Sequence, residues 1–220
     1  MCSAGNNRSQ LRAFTLLEVI VVLSLSLALL GLSAGSLAER SPAPALVAAQ
    51  QTVSALLTFA RVEAMASGQT TRVLVALDHP EGGEPDQRLR SVQVVRRAAD
   101  GRWHGVSRGV VLPRPALVVP ATPPPVVAGP GWSGAPVSSF AGEGLLTVES
   151  AAGSRSLRVG YVEFSPRGTA PVATLVIAPG DAPRMGTAFQ PLRFWEPRDV
   201  RGIKVSQYGV QTLLDHAAAF

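Results

Sequence analysis

From Leu16 to Leu37 the chain is apolar with few interruptions: serines, glycines and one charged side chain, Glu18, near the start of the run. As a helix rising about 1.5 Å per residue, this stretch spans a hydrocarbon core of roughly 30 Å. The sequence Ser41-Pro-Ala-Pro44 then breaks the pattern. Proline removes a backbone donor and crowds the preceding turn, so a kink or short break is expected near Pro42 and Pro44. From about Ala45 to Ser67 the pattern is helical again. Leu46, Val53, Leu56, Leu57, Ala60 and Ala64 recur at helical spacings and make an apolar stripe fit to pack on a sheet. Gly68 is placed to cap this helix.

Beyond Gly68 the period shortens to that of strands. Thr71–Leu77, Arg90–Arg97, Val106–Leu112, Leu145–Glu149, Leu157–Phe164, Ala173–Ile177, Leu192–Trp195 and Ile203–Val205 are short, β-branched or partly alternating runs. Residues 113–136 hold eight prolines and read as an extended surface loop. A long helix followed by about eight short strands predicts an α+β fold, with antiparallel sheets packed on the helix.

Composition narrows the functional classes. Charged residues make up 16% of the 220 positions, below the roughly 25% of a typical soluble domain. Two units of the net charge of +5 come from Arg8 and Arg12, leaving +3 for the rest. That balance is too mild to signal a nucleic-acid surface by itself. The single cysteine, Cys2, precedes the apolar run. It excludes an intramolecular disulfide and any thiolate-built metal centre. His79, His104 and His216 are scattered, and His104 beside Trp103 reads as a residue at a strand end.

Arg8 and Arg12 on the N-terminal side of the apolar run keep that end in the cytoplasm and direct the remainder outward. A signal peptide is one reading, since Ser36-Leu-Ala38 supplies small residues at a cleavage position, but the run exceeds the usual 7–15 residues. Neither a signal peptide nor a plain anchor explains Glu18. A charge at mid-bilayer costs roughly 3 kcal/mol on insertion scales, so an intramembrane carboxylate implies a function and a partner. Ala13-Phe-Thr-Leu-Leu-Glu-Val-Ile-Val-Val-Leu23 closely resembles the N-terminal motif of type IV pilins and type II secretion pseudopilins. Ala13 stands where that family has glycine. The resemblance implies cleavage between Ala13 and Phe14 by a prepilin peptidase/methyltransferase, N-methylation of Phe14, and pairing of Glu18 with the Phe14 amine of a neighbouring subunit.

Three further patterns sharpen the resemblance. Phe59-Ala-Arg-Val-Glu-Ala-Met-Ala-Ser-Gly-Gln69 is similar to the helix end of H-type minor pseudopilins and their pilus counterparts, Phe164-Ser-Pro-Arg-Gly-Thr169 to their central turn, and Gly202-Ile-Lys-Val-Ser206 to their terminal strand. The likeness covers residues 13–77 and, more loosely, 157–206. It implies a leader at 1–13, a transmembrane and filament-core helix at 14–38, the periplasmic half of the helix at 39–68, and a β-rich periplasmic domain at 69–220. It also implies a single-pass inner-membrane protein that is no enzyme and needs no cofactor: a minor pseudopilin serving protein export, with other pseudopilins and secreted cargo as partners.

The residues themselves carry no nucleophile, phosphate-loop or metalloprotease motif. Asp78, Glu81, Glu84 and Asp86 cluster with His79 in a turn-rich loop whose oxygen ligands would suit calcium, though a solvated loop explains them as well. Arg193, Arg198, Arg201 and Lys204, with Phe194 and Trp195, are the candidate nucleic-acid contacts of an alternative reading, a minor type IV pilus subunit. A secreted periplasmic β-domain with an ordinary signal peptide is the alternative from another class.

Overall fold

The computed structural model describes residues 20, 21, 23, 42–78, 87–121, 136–150, 153–181, 193–195 and 199–220. The chain divides into two compact units, Met1–Ser41 and Pro42–Phe220. In the first, Ile20, Val21 and Leu23 are helical and exposed. The second holds a long helix and all the strands among the described residues.

Helix α1 runs from Ala43 to Ser67. It starts two residues earlier than the spacing suggests, because Pro42 occupies the N-cap and Pro44 falls in the first turn. The amides that proline lacks have no intrahelical partner there, and its fixed φ suits a helix start. The first closing bond runs from Leu46 N–H to Pro42 O at 3.0 Å. The expected kink between the two halves of the helix involves residues outside those described. At the other end Gly68 takes the left-handed conformation, φ 67°, as the sequence predicts.

Eleven strands follow among the described residues: β1 (Thr71–Ala76), β2 (Ser91–Arg97), β3 (Trp103–Gly105), β4 (Val110–Val111), β5 (Ala116–Val118), β6 (Gly142–Ser150), β7 (Gly153–Phe164), β8 (Ala173–Asp181), β9 (Arg193–Phe194), β10 (Arg201–Val205) and β11 (Gln211–Leu214). A single 3₁₀ turn, Ala217–Ala219, follows the last strand. Thus the fold is α+β, one long helix laid on two mainly antiparallel sheets.

In the first sheet β1 lies between β2 and β7, with Val73 opposite both Val94 and Val162. The β6–β7 hairpin continues one side, and β3 continues the other. Strands β3 and β6 then meet in parallel over Trp103↔Val148 and His104↔Glu149. The order β1, β7, β6, β3, β2 therefore closes on itself. Successive residues of a strand face opposite ways, so β1 serves two cores. Val73 and Val75 face α1. Leu74 joins Val95, Val148 and Val159 in a separate cluster flanked by Trp103, Leu146, Leu157 and Tyr161. Arg72 enters this second cluster with its guanidinium 4.2 Å from the Trp103 ring centroid and 3.9 Å from that of Tyr161. Glu163 takes its charge at 2.6 Å. Stacking between two rings, worth about 0.5–2 kcal/mol per contact, lets an arginine sit where an apolar residue would be expected.

The second sheet is centred on β8, with β5 on one side, β10 on the other and β11 outside β10. Leu175, Ile177, Ile203 and Val205 pack with α1, whereas Val176 and Ala178 join Leu117, Val119, Phe194 and Val200 in a cluster on the reverse face. Both sheets thus use the same buried side of α1: Leu46, Val53, Leu57, Ala60 and Ala64.

Two segments depart from expectation. Residues 116–118, within the stretch read as a surface loop, form a fully buried strand. Pro113, Pro115 and Pro120 flank it without interrupting it, so Val118 N–H can donate to Leu89 O. Part of that stretch, 122–135, lies outside the described residues. Of the strand expected over Val106–Leu112 only Val110–Val111 forms, as β4; β3 ends just before it at Gly105, and both pair with β2. Between them the amides of Val106 and Ser107 both donate to Val94 O, and the Ser107 hydroxyl accepts from Val94 N–H. This two-against-one arrangement is a bulge that bends the strand.

Candidate assembly surface

Ala13, Phe14 and Glu18, the residues singled out by the N-terminal motif, lie outside the described residues, as does the acidic loop 79–86. The element next in sequence after the membrane-length run is α1. Its 25 residues include only two charged side chains, Arg61 and Glu63. Both are tied to the rest of the fold. Arg61 Nε donates to Gly168 O at 3.1 Å, and Glu63 pairs with Arg96 of β2 at 2.7 Å.

The Arg61 contact depends on two glycines. Gly168 and Gly209 both have left-handed backbones, φ 74° and 70°. A Cβ on Gly209 would stand 2.3 Å from Gly168 O, and one on Gly168 would stand 2.7 Å from Met65 Sδ. Two turns, 165–168 and 206–209, therefore meet each other and the last turns of α1. Along the same flank the Gln211 side-chain amide bridges Ser54 and Thr58, at 2.8 and 3.1 Å. Deeper in, buried Gln50 donates through Nε2 to Gly202 O and Leu214 O, at 2.9 and 3.1 Å. These bonds fix the rotation of α1 about its axis.

With its inner side buried and its charges consumed, α1 presents an outward side that is uncharged. Phe59 and Val62 are 42% and 53% exposed there, and Met65, 46% exposed, lies at the margin against Gly168. A surface helix ordinarily sets charged residues opposite its apolar stripe. By length and composition α1 could itself cross a membrane, but its inner side is spent on the two sheets. Sequence reasoning missed the outward side because the stripe Leu46–Ala64 already accounted for an apolar helix. The signal was present in the shortage of charge along residues 43–67.

The basic residues near the C-terminus do not converge on one face. Arg201 and Ile203 share the helix-facing side of β10, and Lys204 faces the other way. Arg201 is paired with Asp215 at 2.7 Å, and Lys204 is exposed. Arg193 lies in β9, and Arg198 lies outside the described residues. Phe194 is buried, and exposed Trp195 donates through Nε1 to Asp181 at 3.3 Å. His104 is a half-buried residue of β3, its Nε2 4.0 Å from Asp100 Oδ2. Among the described residues no three metal-ligating side chains come together.

No protein-family model and no curated protein matches this chain. Among solved structures it is similar to the minor pseudopilin EpsH from the type 2 secretion system of Vibrio cholerae, at 17% identity and TM-score 0.43, over 80% of this chain and 98% of that one. A second EpsH crystal structure gives 15% and 0.43, over 80% and 97%. The type IV minor pilin FimU of Pseudomonas aeruginosa gives 13% and 0.38, over 79% and 90%.

Proposed function

We propose that this chain is a minor pseudopilin, a structural and non-enzymatic subunit of a type II secretion pseudopilus involved in protein export. The observation that carries the reading is the uncharged outward side of α1, in a helix whose other side is committed to its own domain. Such a helix is built to lie between its own domain and neighbouring chains. The residues before it supply the rest. Leu16–Leu37 would anchor the chain in the inner membrane with the β-rich domain on the periplasmic side, as Arg8 and Arg12 direct.

Cleavage after Ala13 by the prepilin peptidase would expose the amine of Phe14, which is then methylated and stays cationic. Glu18 of one subunit would meet that amine on another. Each charge alone is costly in low dielectric, and each offsets the other's cost when paired with good geometry. The pair would set the register of assembly, and the apolar helix sides would supply the contact area. A pilus subunit that bound DNA would instead need a basic face, and Arg201 and Lys204 point to opposite sides of β10.

Mass spectrometry and N-terminal sequencing of the protein extracted from membranes test this reading. The expected mature chain begins at N-methylated Phe14, and a chain beginning at Glu39 would establish the signal-peptide reading instead. Glu18→Ala should insert in the membrane at least as well as the parent while losing incorporation into filaments. Normal incorporation would refute the charge-pairing step.

A further inference from the structure

Arg72 is only partly accounted for by its place in the first sheet. Its guanidinium lies over the rings of Trp103 and Tyr161, and its Nε donates to Glu163. The terminal nitrogens, Nη1 and Nη2, have no hydrogen-bond partner among the described residues, although the side chain is only 18% exposed. A polar group so largely buried ordinarily has its donors paired. Here the donors of the terminal fork are held in one plane and left open. The same face of the sheet carries two more arginines. The register sets Arg97 opposite Trp103, Trp103 opposite Val148, and Val148 opposite Arg155, and residues paired in this way project from one face. Arg97 and Arg155 are exposed, and neither side chain has a hydrogen bond or ion pair among the described residues. Acid is scarce beside them. Glu163 is spent on Arg72. Asp100, in the turn between β2 and β3, accepts from the Arg102 amide and lies 4.0 Å from the Arg102 and His104 side chains. Glu149, next to Val148, projects from the opposite face.

We infer that this face is a binding site for side-chain carboxylates on an acidic stretch of a partner polypeptide, with Arg72 as the fork that grips one of them and Arg97 and Arg155 as the charges that draw the stretch in. Shape selects the anion. Two rings cover the faces of the Arg72 guanidinium, so its free edge is approached in its own plane. A carboxylate is flat and makes two parallel hydrogen bonds with such an edge. A phosphate is tetrahedral, and its out-of-plane oxygens would meet the rings that flank the fork. Charge selects the length. Arg97 on β2 and Arg155 on β7 stand three strand spacings apart, about 14 Å, so one carboxylate cannot serve both, whereas a run of acidic residues can. The fork is also ordered before anything binds, because stacking and Glu163 already fix it, and that lowers the entropy cost of capture. All of these residues lie within Pro42–Phe220, so the site does not depend on how the chain is anchored or processed.

Fluorescence titration of the full chain in detergent micelles tests the site. Trp132→Phe and Trp195→Phe leave Trp103 as the reporter. The probe is a tri-glutamate peptide blocked at both ends, with blocked tri-glutamine as its neutral twin. Tri-glutamate should change the Trp103 emission saturably, and tri-glutamine should not. Arg72→Lys keeps the charge and loses the fork, and should weaken binding about tenfold. Arg97→Gln and Arg155→Gln, at exposed positions, should each weaken it about threefold and flatten its salt dependence. Lys204→Gln, on the second sheet, should leave it unchanged. Equal responses to the two peptides, or binding indifferent to Arg72→Lys and to both arginine-to-glutamine variants, would overturn the inference. So would the same loss in Lys204→Gln, which would mean attraction to net charge alone. Tighter binding of inorganic phosphate or of a short oligothymidylate would also overturn it, by giving the face to a phosphate. If the melting temperature shows that Arg72→Lys fails to fold, Arg97→Gln and Arg155→Gln decide between these outcomes.

Discussion

The two sides of α1 share a near absence of charge, yet one is core and the other surface. What separates them is side-chain volume and one polar residue. The inner side carries Leu46, Val53 and Leu57, large enough to fill the space between two sheets, together with Gln50, whose amide satisfies carbonyls that the β10–β11 pair presents to the helix. The outer side carries mostly alanine and threonine until Phe59 and Val62. Lack of charge is therefore common to both sides, and side-chain volume decides which of them is buried.

Paired truncations put the contrast under the greatest load. Leu57→Ala removes a fully buried side chain that both sheets pack against, and deletions of this kind cost about 2–5 kcal/mol. Val62→Ala, one turn further along on the opposite side, should change stability by less than about 0.5 kcal/mol. Urea unfolding of the Pro42–Phe220 unit reads both. If the two truncations cost the same, the outward side of α1 is part of the domain core and the contrast between its two sides is wrong.

Neighbouring glutamines give the next largest contrast. Gln50→Leu leaves the carbonyls of Gly202 and Leu214 without their side-chain donor, and a buried polar group without a partner costs about 1–3 kcal/mol. Gln51→Leu, exposed on the outward side, should be neutral within about 0.5 kcal/mol in the monomeric domain. Hydrogen exchange would localise the first effect: the amides of β10 and β11 should lose protection in Gln50→Leu and keep it in Gln51→Leu. Uniform loss across both sheets would mean that Gln50 supports the whole core rather than the docking of α1 on β10.

Much of this arrangement is legible in sequence because local chemistry and global packing agree there. The stripe Leu46, Val53, Leu57, Ala60 and Ala64, the Gly68 cap, and the strands at 71–76 and 157–164 follow from period and capping alone. The ring of the first sheet is not legible. It closes through Trp103↔Val148 and Arg72, which come from segments far apart in the chain, and a sequence window offers no sign that an arginine will be stacked between two aromatic rings. Strand β5 escapes because three prolines surround it, and their usual meaning outweighs Leu117-Val-Val119. Strand β11 is only four residues long and follows a glycine turn, so no run of alternation marks it. The outward side of α1 is open to a count of charges, and Phe59 and Val62 belong to the motif at the helix end.

The smallest effect concerns the edges of the outward side of α1. Glu63 and Arg96 are 2.7 Å apart with 21% and 38% of their side chains exposed. A pair this accessible is expected to contribute about 0.2–1 kcal/mol, because water already solvates both charges and ordering two long side chains costs entropy. A double-mutant cycle of Glu63→Gln and Arg96→Gln should return a coupling in that range at low salt. In 1 M salt the screening length falls to about 3 Å, and the coupling should largely vanish. That outcome fits a helix held by its buried side, with its charges acting as margins that keep the outward strip neutral. A salt-independent coupling well above 1 kcal/mol would place the pair inside the core. The uncharged outward side would then be narrower on the β2 side and reach further toward Thr58 and Met65.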